Sequence, residues 1–350
     1  MNQVQKVSVL ACALVLAIVI FLVPPRGAVD FVQQAPLDNP TRTHPKTQIT
    51  LVGASQFGEA HIYTRTIRKF EELVGAYYDG DVNFEMYLNS ELGIEKDFFA
   101  YMSLGIAMDY SIVTASHMST FASEAPLIDT PFLFRDLEHW SAVVKSDVFK
   151  PIEDAVYKKA DVLFVGYAGG GVRNLIVNRR VTNVDELRGL RMRVMGAPIQ
   201  ANIFQSIGAV PSVIAYNEVY NAIQTGVIEA VENEASSVEQ MKFYEVGPEI
   251  SLTQHAFTLR PIMFSGKTFR RLPADLQSAI LRAGREAGDW GREIESAQDS
   301  AILARLENEK KLRLHSFSQR EELLRMAEPV KNAYAKKIKA ESVLDRINQL

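Results

Sequence analysis

Apolar residues recur along the chain with two periods, and the periods alternate. Gln48 to Gly53 is a short apolar run with the look of a strand. Tyr63, Ile67, Phe70 and Val74 follow at helical spacing and predict a long amphipathic helix. Val82, Phe84, Met86 and Leu88 alternate as in a strand with one apolar face. Gly93 to Gly105 predicts a second helix and Tyr110 to Val113 a third short strand, giving the order β-α-β-α-β. Asp161 to Tyr167 reads as another strand, ending in Ala168-Gly169-Gly170-Gly171, where three glycines suggest a hinge or tight turn. Further strands are expected at Asn174 to Val177, Leu190 to Val194, Val227 to Val231 and Ile250 to Phe257. Helices are expected at Pro198 to Ser206 and Asn217 to Thr225, and Thr182 to Asp185 matches a capping box. Leu276, Ile280, Ala283, Ala287, Trp290 and Ile294 mark one face of a helix entered at Pro273 and running to about Lys310. Strands alternating with helices imply an α/β protein whose sheets are covered by helices.

The N-terminus follows a different pattern. Lys6 precedes an apolar run from Val7 to Val23 that breaks at Pro24-Pro25. Residues 1–28 are therefore expected to be an export signal or an N-terminal anchor. Val9-Leu10-Ala11-Cys12 loosely resembles a lipoprotein box, but it lies at the start of the run and reads as part of the signal. Residues 29–46 add Pro36, Pro40 and Pro45 among polar residues and read as a linker.

The 350 residues suffice for two domains of ordinary size. Apolar content of 47% and charged content of 23% are those of a globular protein, and a net charge of -4 gives no reason to expect nucleic acid. A single cysteine, Cys12, excludes an intrachain disulfide and any zinc site built on two cysteines. The chain has no G-x-S-x-G, and its six histidines lack metal-ligand spacing. Gly266-Lys267-Thr268 resembles the tail of a phosphate-binding loop, but Pro261 stands where the first glycine belongs. No enzyme, metal or cofactor is expected.

What remains is a set of groups suited to an anion. Arg193 interrupts the apolar run Met192, Val194, Met195, and Arg173 follows an apolar strand. The planar guanidinium accepts a carboxylate through two parallel hydrogen bonds. Asn233 lies at the end of a strand, where its amide faces a ligand oxygen, and Tyr216 begins a helix that sets a ring beside the ligand body. The alternative for Arg173 is pairing with a structural acid. Glu232 and Glu234 flank Asn233 without any nucleophile beside them.

Over residues 48 to 335 the chain resembles the substrate-binding subunit of tripartite ATP-independent periplasmic (TRAP) transporters, the dicarboxylate-binding-protein-like family. The motifs are Leu88-Asn89-Ser90-Glu91-Leu92-Gly93-Ile94-Glu95, Leu104-Gly105-Ile106-Ala107-Met108-Asp109 and Thr130-Pro131-Phe132-Leu133-Phe134. They continue with Leu187 to Val194, Glu218 to Gly226 and Lys242-Phe243-Tyr244-Glu245-Val246. The resemblance implies a two-lobed periplasmic binding protein, its lobes joined by crossing strands and a long helix. Lobe I is expected over 47–171 plus 259–296, and lobe II over 172–258 plus 297–350. It implies that Arg193 binds the carboxylate of a small organic acid in the interlobe cleft, assisted by Arg173, Asn233 and Tyr216. It further implies a periplasmic receptor, soluble or tethered to the inner membrane, that feeds a sodium-coupled permease; presenting the ligand to a membrane sensor is the alternative. Met195 replaces a proline usual in the family. Thr114 stands where some sialic-acid binders carry an acid, which argues against that substrate.

Overall fold

A computed structural model describes residues 48–350; the apolar run at 7–23 and the linker lie outside the described residues. The strands are β1 Ile49–Ala54, β2 Val82–Tyr87, β3 Tyr110–Ile112, β4 Val162–Val177, β5 Arg191–Val194, β6 Val210–Val213, β7 Ala230–Asn233, β8 Glu249–Ser265 and β9 Arg313–Ser316. The helices are α1 Ile62–Tyr77, α2 Glu95–Leu104, α3 Leu137–Lys145, α4 Lys150–Ala160, α5 Pro198–Ser206, α6 Val219–Gln224, α7 Ala235–Gln240, α8 Gly266–Phe269, α9 Ala274–Asn308, α10 Arg320–Ile338 and α11 Glu341–Gln349.

The strands form one sheet in the order β2-β1-β3-β8-β4-β7-β5-β6, with β9 also on β8. β2, β1 and β3 run parallel at one end, and β7, β5 and β6 run parallel at the other. Between them β4 and β8 are antiparallel over nearly their whole length and carry the chain from one parallel group to the other. This is the two-lobed α/β arrangement, each lobe a parallel group flanked by helices, with long strands crossing between them.

α9 is the third crossing element. Its 35 residues span about 52 Å at the helical rise. Leu276, Ile280, Ala283 and Ala287 are fully buried against α1, and Trp290 and Ile294 are partly so, as the apolar stripe predicts. Beyond them the same face turns acidic, with Glu295 and Asp299 buried. Gly288 lets the helix lie directly on β4, since a methyl there would come within 2.5 Å of the Tyr167 carbonyl oxygen.

Four expectations change. The run at Asp161 does not end at the glycines: β4 continues through them to Val177. Gly169 and Gly170 have φ of 120° and 110°, and the register with β8 slips between Gly169 and Val172. The Gly170 and Gly171 N–H groups both donate to the Thr258 hydroxyl, so the glycines make a bulge inside a strand rather than a turn. Arg173 accordingly sits within a strand, not after one. The acid that reaches back to the Thr182 N–H is Glu186, one residue beyond Asp185. β7 begins at Ala230, because the chain is still turning at Gly226 and Val227 is exposed. β6, β9, α3 and α4 appear only in the structure, although α4 buries Ile152, Val156 and Ala160 at helical spacing.

Candidate functional site

Both parallel groups point their carboxyl ends at the same space, which is where α/β proteins bind ligands. From one group, Gln56 and Phe57 follow β1, and Thr114 and His117 follow β3. From the other, Arg193 lies in β5, Tyr216 follows β6, and Asn233 ends β7. Arg173 and Arg260 of the crossing strands form the floor. These side chains, with Tyr63, Glu95, Met195, Glu234 and Ser237, line one narrow cavity with about 20 Å³ of room open to water. All four residues singled out in the sequence therefore line one cavity.

Three arginines lie in it, each about 3% exposed or less, and their partners differ. Arg173 donates through Nε to Glu232 and through Nη1 to Asn233 Oδ1 at 2.8 Å and to Glu234. Its Nη2 donates to the Glu232 carbonyl at 2.8 Å. Four of its five N–H donors are thus committed. Arg260 pairs with Asp129 at 3.2 Å and Glu234 at 3.7 Å. Arg193 donates through Nε to the Ile214 carbonyl at 3.0 Å, and its guanidinium lies 5.6 Å from the centre of the Tyr216 ring. Among the described residues no carboxylate pairs with it, and its two terminal nitrogens have no bonded acceptor.

The electrostatics follow from the partners. Burial alone would lower Arg173, but Glu232 and Glu234 outweigh it and hold the guanidinium above its ordinary value. The same burial lowers Arg193, where Glu232 and Tyr216 act only from a distance. Burial drives His117 down to about 3, so its imidazole is neutral at any ordinary pH. Tyr216 is pushed by burial above its ordinary range.

The asparagine couples two of the other groups. Asn233 Oδ1 accepts from Arg173, and its Nδ2 donates to the Tyr216 hydroxyl at 3.1 Å. Phe57 meets the Tyr216 ring edge-on with centroids 5.8 Å apart. The cavity therefore offers a cation with four open donors against an aromatic wall, which suits an anion carried on a partly apolar body. Among the described residues no cluster of histidine, cysteine and acidic side chains could hold a metal ion.

Sequence reasoning missed Glu95, His117, Gln56 and Arg260. Arg260 carried a usable signal, a charge beside the apolar run Pro261 to Phe264. The others come from loops and a helix start, where polar residues are ordinary.

The family model for bacterial extracellular solute-binding protein, family 7, matches residues 53–340. A solute-binding protein of Sulfitobacter sp. strain NAS-14.1 is 53% identical over 86% of this chain and 92% of its own length. A crystal structure of a TRAP periplasmic solute-binding protein from Sulfitobacter sp. NAS-14.1, with bound alpha-D-taluronate, superposes with a TM-score of 0.85 at 53% identity. It covers 87% of this chain and 99% of that one. A second, from Roseobacter denitrificans with bound L-galactonate, gives a TM-score of 0.78 at 25% identity over 86% of this chain and 98% of that one. The crossing strands, the cavity at the strand ends and these matches together place the chain in family 7 of the bacterial extracellular solute-binding proteins, the receptor subunits of TRAP transporters.

Proposed function

We propose that this chain is a periplasmic receptor that captures a sugar acid in the interlobe cavity and delivers it to an ion-coupled membrane permease. The observation that carries the reading is the buried Arg193 guanidinium with both terminal nitrogens open. A buried charge without a partner is costly, and a ligand carboxylate spanning the two nitrogens offsets that cost. Arg173 contributes its one uncommitted N–H, Asn233 holds Arg173 and Tyr216 in place, and Tyr216 and Met195 flank the carbon skeleton. The sugar-acid assignment is supported by the taluronate and galactonate bound to the two related structures.

Closure of the lobes on the ligand is part of the same reading. The lobes divide at 171/172, 258/259 and 296/297, and these three points lie together. Gly169 faces Leu259 across the bulge, Thr258 holds the Gly170 and Gly171 N–H groups, and Ser296 lies against Gly170. Small backbone changes at one place then swing the lobes.

Isothermal titration of Arg193→Ala with D-taluronate tests the site. Each charge-assisted hydrogen bond contributes about 1.5–3 kcal/mol, so losing two weakens binding by about 10²- to 10⁴-fold. Arg193→Lys also weakens it, because an ammonium cannot form the paired geometry. A Kd for Arg193→Ala within threefold of the parent, with an unchanged melt, removes Arg193 from the role.

A further inference from the structure

We infer that Glu95 is a specificity residue, selecting polyhydroxylated monocarboxylates and rejecting dicarboxylates; the inference rests on the carboxylate of the ligand lying at Arg193. Glu95 opens α2 and is 4% exposed, yet it reaches the cavity. Its Oε2 is fixed by the Thr114 N–H at 2.6 Å. The Thr114 hydroxyl also acts on the carboxyl group, and no other described residue donates to its Oε1. A carboxyl group held there by Thr114 alone has capacity for an O–H or N–H on the ligand, not for a second anion.

The rest of the cavity points the same way. Among the described residues lining it, Arg193 is the one arginine with no paired carboxylate: Arg173 is held by Glu232 and Glu234, and Arg260 by Asp129 and the shared Glu234. A second ligand carboxylate would find only arginines already neutralised by carboxylates and would meet Glu95. The groups with spare hydrogen-bonding capacity beside Glu95 are neutral. His117 has no bonded partner among the described residues, and Gln56 uses only its Oε1, on the Glu95 N–H. Neutral donors and acceptors around one carboxyl suit hydroxyl groups. The environment already disfavours negative charge: burial raises Glu95 above the ordinary carboxylate range, against the opposing pull of Arg260 and of the Thr114 N–H and hydroxyl.

The test is a calorimetric comparison of D-galactonate with galactarate, which share a carbon skeleton and differ in a terminal hydroxymethyl or carboxylate group. D-taluronate and succinate complete the set. The wild type is expected to bind D-taluronate or D-galactonate at least 100-fold more tightly than galactarate or succinate. Glu95→Gln keeps an acceptor for the Thr114 N–H and removes the charge. It is expected to weaken the monocarboxylates about tenfold or more and to narrow their advantage over galactarate by at least tenfold. Wild-type affinity for galactarate or succinate within tenfold of the monocarboxylates overturns the inference and leaves the receptor reading intact, and this arm needs no variant to fold. An unchanged ratio in a folded Glu95→Gln also overturns it. A wild type that binds none of the monocarboxylates overturns the sugar-acid reading itself.

Discussion

Asp299 offers a test of the buried acidic face of α9 that needs no ligand. Its carboxyl is 6% exposed, and Oδ1 accepts from the Ala235 N–H at 3.0 Å. Burial raises it from 3.8 to about 7, against the Ala235 and Val172 N–H groups, and the nearby Glu234 adds to the rise. The sign is that of an acid raised on folding. Below pH 4 both states hold the proton and the full stability is present. As pH rises the unfolded chain releases the proton first, so stability falls until the folded carboxyl also ionises near pH 7. At about 1.4 kcal/mol for each tenfold step, the loss between pH 4 and pH 8 is about 4 kcal/mol. Asp299→Asn cannot titrate. It gives up one acceptor, a pH-independent cost of about 1–2 kcal/mol, but escapes the loss on the alkaline side. Urea denaturation of both proteins from pH 4.5 to 8 is the assay, and the quantity read is the difference between their stabilities. That difference is expected to shift in favour of the variant by several kcal/mol as pH rises. Glu295, raised by burial, by Glu234 and by Asp299 itself, is raised less in the variant, which moves the difference in the same direction. Parallel profiles, within about 1 kcal/mol across the range, refute the reasoning.

Other expectations separate structure from binding. Arg173→Met leaves Glu232 only His255 and Glu234 only the more distant Arg260 as basic partners in the interior, and is expected to cost about 3–5 kcal/mol in urea denaturation. Arg193→Met removes a cation with no paired carboxylate, so the ligand-free protein changes by about 1 kcal/mol or less, or gains; equal losses for the two contradict the division of roles. Gly288→Ala drives a methyl into the Tyr167 carbonyl and is expected to lose about 1–3 kcal/mol net of the better helix propensity of alanine, read as a lower Tm.

Much of the scaffold was legible because burial writes a period into the sequence. The stripe from Leu276 to Ile294 marks the face of α9 that meets α1, and Pro198 to Ser206 matches α5 to the residue. Arg193 was legible for the opposite reason, as a charge where the period demands an apolar residue. The glycines misled because their usual effect is to end a strand. Here they permit one to pass under a helix and a threonine hydroxyl, a contact made by residues far along the chain. The fate of Arg173 was equally hidden. Whether an arginine is spent on its own fold depends on which acids the sheet brings beside it, and the β4–β7 register sets Asn174 opposite Asn233, between Glu232 and Glu234. Glu95 reads in sequence as an ordinary acidic helix start. Only the return of β3 and Thr114 turns it into a wall of the cavity.

The pairing of β4 with β8 also governs how the chain reaches its native state. Val162 lies against Ser265, about a hundred residues away, which is the high-contact-order topology of slow folders. Neither lobe is a continuous stretch, so a chain ending at the glycine bulge lacks β8 and α9 and has no finished sheet to close. Unfolding is therefore expected to be one cooperative event for both lobes. Two lobes need not be two folding units, and a sheet threaded through both makes them one.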